Sequence, residues 1–344
     1  MKALKWKSAF ILFLLSVVLL AGCSFGSDNE ERSIDPPPAE QEDQIGESTS
    51  EDAAVIENTQ PVTLYFKDEQ GYVAPVTMDV PQTEGIAKQA LNYMVEGGPG
   101  EGQLPEGFTA LIPAGTEVLG MDIRDGLAIV DFSEYFTNYN PHDERKMLEA
   151  ITWALTGFST VDQVQIRVEG AKLAEMPMNA TPLDEPLSRD MGINVERGEG
   201  VNLVKASAVT LYFQNKTEDD YTYLVPVTRM IDYTDNTAEA SLNQLIQGPS
   251  ADSSLASVIM PEVQVLGVKQ QDQLVTVNFD SAILGAESAI STETLQSIIL
   301  SVTESTGAEQ VQIMVDGKVG VQSTDAVNYS APVNKPAHVN KLEM

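Results

Sequence analysis

Val62-Thr63-Leu64-Tyr65-Phe66 returns letter for letter as Val209-Thr210-Leu211-Tyr212-Phe213, and the rest of the chain follows the same beat. Pro75-Val76-Thr77 is answered by Pro226-Val227-Thr228, and Gly98-Pro99 by Gly248-Pro249. Val118-Leu119-Gly120 is answered by Val265-Leu266-Gly267, Val130-Asp131-Phe132 by Val277-Asn278-Phe279, and Val164-Gln165-Ile166 by Val311-Gln312-Ile313. Pro182-Leu183-Asp184-Glu185-Pro186 is echoed by Pro332-Val333-Asn334-Lys335-Pro336. The period is far longer than the 20–50 residues of a stacked solenoid repeat, so the pattern describes two tandem globular modules.

Each module reads as mixed α and β. Val62, Leu64 and Phe66 alternate with Thr63 and Tyr65, the period of a half-buried strand. A second strand is expected at Tyr72–Thr77 and Tyr223–Thr228, where Pro75 and Pro226 lack a ladder donor and so predict an edge or a bulge. Helices are expected at Glu84–Val95 and Ala238–Ile246, each stopped by Gly-Pro. The Asp125-Gly126 turn predicts a hairpin of Val118–Ile123 with Leu127–Phe132, matched by Gln264–Val268 with Leu274–Phe279. A longer helix at Asp143–Gly157, or Thr292–Ser305, and a last strand at Gln163–Val168, or Gln310–Val315, complete each unit. The expected class is α+β, with helices on one face of a small sheet in the order strands, helix, hairpin, helix, strand. The Pro-Leu-x-x-Pro tail is expected to lie as an extended flap over its own module.

The N-terminus carries an address. Lys2, Lys5 and Lys7 precede an apolar run, Ala9–Leu20, that is too short to span a bilayer comfortably. It ends in Leu20-Ala21-Gly22-Cys23, the form of a bacterial lipobox, so residues 1–22 read as a lipoprotein signal peptide and Cys23 as the lipidation site. Cys23 is the sole cysteine, which excludes a disulfide within the chain. Residues 23–58 are rich in Asp and Glu with Arg32 as the single base, and read as an acidic, disordered tether. The first module is then expected at 59–195, a linker at 196–208 and the second module at 209–341. Cleavage would remove three lysines and no acid, taking the formal charge from −31 to −34. Such a charge disfavours nucleic acid and anionic lipid headgroups, leaving the acyl chains of Cys23 to hold the protein on the outer face of the membrane.

Chemistry is sparse. The two histidines, His142 and His338, occupy unrelated places in the repeat, so neither a histidine metal site nor a Ser-His-Asp arrangement is indicated. No nucleotide-binding, nucleophile-elbow or EF-hand motif occurs. Glu218-Asp219-Asp220 reads as a solvated insertion in a loop that is shorter in the first copy, with weak calcium binding as the alternative. Asp131, at a strand end, becomes Asn278 in the second copy, which removes acid-base work from that position. Trp6 lies in the signal peptide and Trp153 on a helix, so neither offers a sugar-stacking platform. No catalytic, cofactor or metal residue is assigned, and no small-molecule substrate is expected.

The Leu-Tyr-Phe strand, the Pro-Val-Thr strand, the helix ending in Gly-Pro, the Val-Asp-Phe hairpin strand and the Val-Gln-Ile closing strand, taken in that order and twice, resemble the GerMN module. That resemblance spans about residues 60–340. It implies a spore-associated lipoprotein of endospore-forming bacteria, acting in sporulation and germination, whose modules are similar to the ring-building motifs of secretion systems. It further implies partners among protein components of the channel complex joining mother cell and forespore. Binding or processing of spore peptidoglycan is the alternative.

Overall fold

The computed structural model describes residues 58–198, 200–285 and 288–342. The signal peptide, Cys23 and nearly all of the tether lie outside them. Both copies belong to one compact unit, Val55–Met344.

The first copy runs β1 (Thr59–Lys67), β2 (Val73–Pro81), α1 (Ile86–Tyr93), β3 (Val118–Arg124), β4 (Gly126–Phe132), α2 (Glu144–Leu155), β5 (Val161–Val168) and β6 (Ala171–Lys172). A short strand, β7 (Glu196–Arg197), leads into the second copy: β8 (Ala206–Lys216), β9 (Thr222–Asp232), α3 (Thr237–Gln247), β10 (Val265–Gln271), β11 (Leu274–Phe279), α4 (Thr292–Thr306), β12 (Gln310–Val315) and β13 (Val333–Asn334). The α+β class and the duplicated order hold. Each copy, however, contains two sheets where a single small one was expected. The first two strands form a separate antiparallel hairpin, and the other sheet has the order β3-β4-β5-β6 or β10-β11-β12-β13. Within that second sheet β4 runs parallel to β5 and β11 parallel to β12, with α2 and α4 as the crossover helices.

Local chemistry explains the repeated motifs. Val-Leu-Gly marks a bulge: the β3–β4 register slips between Val118 and Gly120, and β10–β11 slips between Val265 and Gly267. The β3–β4 turn puts Asp125 and Gly126 at φ 49° and 81°, the left-handed pair that an Asp-Gly turn supplies. Leu64 and Phe66, with Leu211 and Phe213, are wholly buried, and the apolar residues of both copies join in one continuous core. α3 begins at Asn236, whose side chain accepts from the Glu239 N–H, and α4 at Ser291, whose side chain accepts from the Thr294 N–H.

The longer stretch after β8 is not a loop insertion, contrary to the sequence expectation. The β8–β9 hairpin is two pairs longer than β1–β2, and Asn215 lies opposite Tyr223. Asn215, Thr217 and Tyr223 are buried, while Glu218, Asp219 and Asp220 alone form the solvated tip. The segment expected as a linker also begins as a strand: Glu196–Arg197 pairs in parallel with Arg229–Met230 of β9.

Candidate functional site

The chemistry of this chain gathers at the junction of the two copies, and the crossed tails build it. After its flap, where Leu183 and Leu187 hydrogen-bond Ala174 and Val164 of their own copy, the first tail crosses to the second copy. Ile193 N–H donates to Thr228 Oγ1 at 3.0 Å, and Thr228 N–H donates to the Ile193 carbonyl. The second tail crosses back: Val339 N–H donates to Thr77 Oγ1 at 3.1 Å, and Thr77 Oγ1 donates to the Val339 carbonyl. Thr77 and Thr228 also meet Thr63 and Thr210, with oxygens 2.7 and 2.9 Å apart. The repeated threonines of Val-Thr-Leu-Tyr-Phe and Pro-Val-Thr therefore serve these clamps.

Two asparagines close the seam between β2 and β9. Asn194 accepts from Val73 N–H at 2.8 Å and donates from Nδ2 to the carbonyls of Val73 and Pro226, both at 2.8 Å. Asn340 does the reciprocal work, accepting from Leu224 N–H and donating to the carbonyls of Leu224 and Pro75. The two edges present carbonyls to each other, and each proline has no N–H that would need a partner there. The side-chain amide supplies both the acceptor and the two donors that the seam lacks. Pro75 and Pro226 thus mark where the edge strand β2 meets β9 at residues that β7 does not reach; the edge expected for the second copy is otherwise filled, β9 lying between β7 and β8.

Charged groups pin the seam at three further places. Asp68, 2 % exposed, accepts from Tyr223 OH at 2.8 Å, Asn215 Nδ2 at 3.0 Å and Tyr72 N–H. Burial raises its carboxyl above the usual carboxylate range despite those three donors. Phe108 packs edge-on against Tyr223, centroids 4.9 Å apart. Glu304 at the end of α4 is clasped by Arg189 of the first tail at 2.5 Å and by Lys335 of the second. Burial alone would push Glu304 up, but the two cations outweigh it and hold the carboxyl below its ordinary value. The Arg189 guanidinium lies 4.3 Å from the Trp153 ring centroid, and Tyr65 meets that ring edge-on. Burial pushes the Tyr65 phenol up to about 12. Arg229 of β9, 4 % exposed, pairs with Glu196 of β7 and donates to the Gly248 carbonyl.

The residues singled out by sequence are not assembled into a reaction centre. His142 and His338 are both exposed, and they line two different hollows. Asp131 Oδ1 accepts from Gly170 N–H at 2.8 Å, and Asn278 Oδ1 accepts from Gly317 N–H at 2.9 Å. Both copies use this position as a hydrogen-bond acceptor in a turn, which explains why acid and amide interchange. The Asp219 carboxylate beside Glu106 across the junction raises the Glu106 carboxyl, while Asp220 pairs with Lys216. Among the described residues no group of three or more His, Cys, Asp or Glu could hold a metal ion. Trp153 is buried against Tyr65 and Arg189 and presents no open face. Sequence reasoning missed Arg189, Asn194, Glu304 and Asn340. One signal was there: Ile193-Asn194 and Val339-Asn340 repeat the same apolar-Asn pair.

Comparison with known proteins matches this architecture in both halves. The model of the family Germane, "sporulation and spore germination", fits residues 63–174 and again 210–321. The chain is 37% identical over 351 residues to spore germination protein GerM of Bacillus subtilis (strain 168), covering 95% of each. The solved structure of the tandem GerMN domains of the Bacillus subtilis sporulation protein GerM superposes with a TM-score of 0.76 at 40% identity, covering 83% of this chain and 99% of that one. With the family model matched in both copies, a superposable tandem-domain structure and identity along nearly its whole length, the chain belongs to the Germane family of sporulation and spore germination proteins.

Proposed function

We infer that this sporulation and germination protein is a non-catalytic scaffold, an assembly factor of an envelope complex in the sporulating cell. The observation that carries the reading is what the repeated polar residues do. Thr63, Thr77, Thr210 and Thr228 clamp crossed tails, and Asp131 and Asn278 accept one turn hydrogen bond each. Both copies carry groups that fasten them together, and the interchange of acid and amide argues against acid-base catalysis at the one position that invited it. Lipidation at Cys23 would tether the body to the outer face of the membrane, with the acidic segment 24–58 as its stalk. Partners would be protein components of the channel between mother cell and forespore.

The test is co-purification. The full chain, mildly cross-linked in sporulating cells and purified from membranes, is expected to carry components of that channel. Recovery of none of them, together with release of soluble muropeptides from spore peptidoglycan by the purified protein, would replace the scaffold reading with the peptidoglycan alternative.

A further inference from the structure

The two copies differ at one strand edge, and the difference is a matter of backbone hydrogen bonds. Alternate residues of β8 turn their N–H and C=O away from β9, because Tyr212 lies opposite Pro226, which has no donor. In the second copy every one of those outward groups from Thr210 to Gln214 is taken. Ser305 Oγ bonds both N–H and C=O of Thr210, Ser301 accepts from Tyr212 N–H at 2.9 Å, and Ser297 donates to the Tyr212 carbonyl at 2.6 Å. Gln214 exchanges both bonds with Ala256. Three serines at i, i+4 and i+8 of α4 therefore seal the edge.

The first copy keeps the strand and lacks the seal. Thr63 and Tyr65 stand where Thr210 and Tyr212 do, Tyr65 lies opposite Pro75, and Lys67 exchanges both bonds with Thr109 as Gln214 does with Ala256. The serine positions are occupied by Ala150, Ala154 and Phe158, none of which can donate or accept from its side chain. α2 also stops at Leu155, whereas α4 runs through Thr306, about one turn further along the shared frame. Among the described residues no group meets the backbone N–H and C=O of Thr63 and Tyr65. They open into a hollow of about 960 Å³, lined also by Ala154 and Phe158 and by Pro336 and His338 of the second tail. Unpaired backbone groups along a strand edge are a template for one more strand.

We propose that the outer edge of β1 docks a single extended segment of a protein partner, uncharged and with alternating apolar side chains, by strand addition. The unpaired groups ask for a peptide backbone at strand spacing. In the same hollow the two cations Arg189 and Lys335 are balanced by the two carboxylates Glu304 and Glu309, so no net charge calls for a charged ligand. The proposal deepens the scaffold reading by naming a partner surface. Its test is separable, because it is run on purified protein with no spore component.

The probe is the end-capped hexapeptide Val-Thr-Val-Thr-Val-Thr, titrated into the full chain in detergent while amide exchange is followed. Thr63 and Tyr65 amides are expected to exchange freely in the protein alone and about tenfold more slowly at ten times the dissociation constant. A hexapeptide N-methylated at alternate amides should give no protection, which checks the contact without any protein variant. Thr63→Pro removes one outward N–H and should abolish binding, while Thr63→Val should retain it. Unchanged exchange up to the peptide's solubility limit overturns the proposal, as does slow exchange before peptide is added. Protection that grows with protein concentration alone would assign the edge to a second copy and overturn it equally.

Discussion

Replacing Asn194 by alanine tests the seam where its chemistry is most explicit. The side chain makes three hydrogen bonds of 2.8 Å, two to Val73 and one to the Pro226 carbonyl, and no other group of the described chain reaches those atoms. At about 1 kcal/mol net per bond the loss is about 3 kcal/mol, which for a unit of this size lowers the melting temperature by roughly 5 °C. Asn340→Ala removes the reciprocal three bonds and should cost the same within about 1 kcal/mol. Asn194→Asp is the sharper variant. It keeps shape and the acceptor for Val73 N–H but sets a carboxylate against two carbonyls, so it should cost at least as much as alanine. Calorimetry and urea titration at neutral pH measure all three. Losses below about 1 kcal/mol for both alanine variants, or an aspartate better tolerated than alanine, would refute the bridging amide.

Other expectations are simpler to state. Glu304→Gln leaves Arg189 and Lys335 without their carboxylate and should cost about 2 kcal/mol at neutral pH, discounted for the partial exposure of both cations. Because the folded pKa of Glu304 lies below its unfolded value, its contribution is present above the usual carboxylate range and is lost as pH falls through the folded value; urea titrations should show the gap between wild type and Glu304→Gln closing there. Asp68 works with the opposite sign. Its raised carboxyl favours the fold in acid and loses that contribution as pH rises through the folded value, so Asp68→Asn should flatten that part of the stability profile. Thr152 buries a hydroxyl that has no partner among the described residues, so Thr152→Val should raise stability by about 1 kcal/mol in calorimetry. Asp131→Asn should change stability by less than about 0.5 kcal/mol, since Asn278 already performs that role. Cys23→Ser should release the protein from membranes or leave it uncleaved; a cleaved, fully membrane-retained product would refute lipidation.

What the sequence made legible was whatever depends on local period and turn chemistry. Val62–Phe66 alternates, Asp125-Gly126 turns, and Gly-Pro follows α3, so strands, hairpin and helices could be placed from their own residues. The repeat then separated shared fold residues from unshared chemistry. The seam was hidden because its partners are far apart in sequence and act across copies. Asn194 bonds a strand of each copy, and nothing within Gly192-Ile193-Asn194 says that its tail leaves home. The proline signal was read as an edge, which holds for β2; β9 lies between β7 and β8, and Pro226 faces β2 beyond the short reach of β7. The lengthened hairpin looked like a loop because Glu218-Asp219-Asp220 is polar, while the residues that matter there, Asn215 and Tyr223, gain their meaning from Asp68. The open β1 edge was invisible for another reason: it shows only when Ala150, Ala154 and Phe158 are set beside Ser297, Ser301 and Ser305 in three dimensions.

At the centre stands the claim that crossed tails fasten the two copies into one body. Glu134 and Ser281 occupy equivalent, exposed positions after β4 and β11, one on each copy. Spin labels on Glu134→Cys and Ser281→Cys, in a chain with Cys23→Ser, report the distance between copies by pulsed dipolar spectroscopy. A single narrow distribution is expected, broadening when Asn194→Ala and Asn340→Ala are combined. A broad or multimodal distribution in the chain with both asparagines intact would mean that the copies swing independently and would contradict the account.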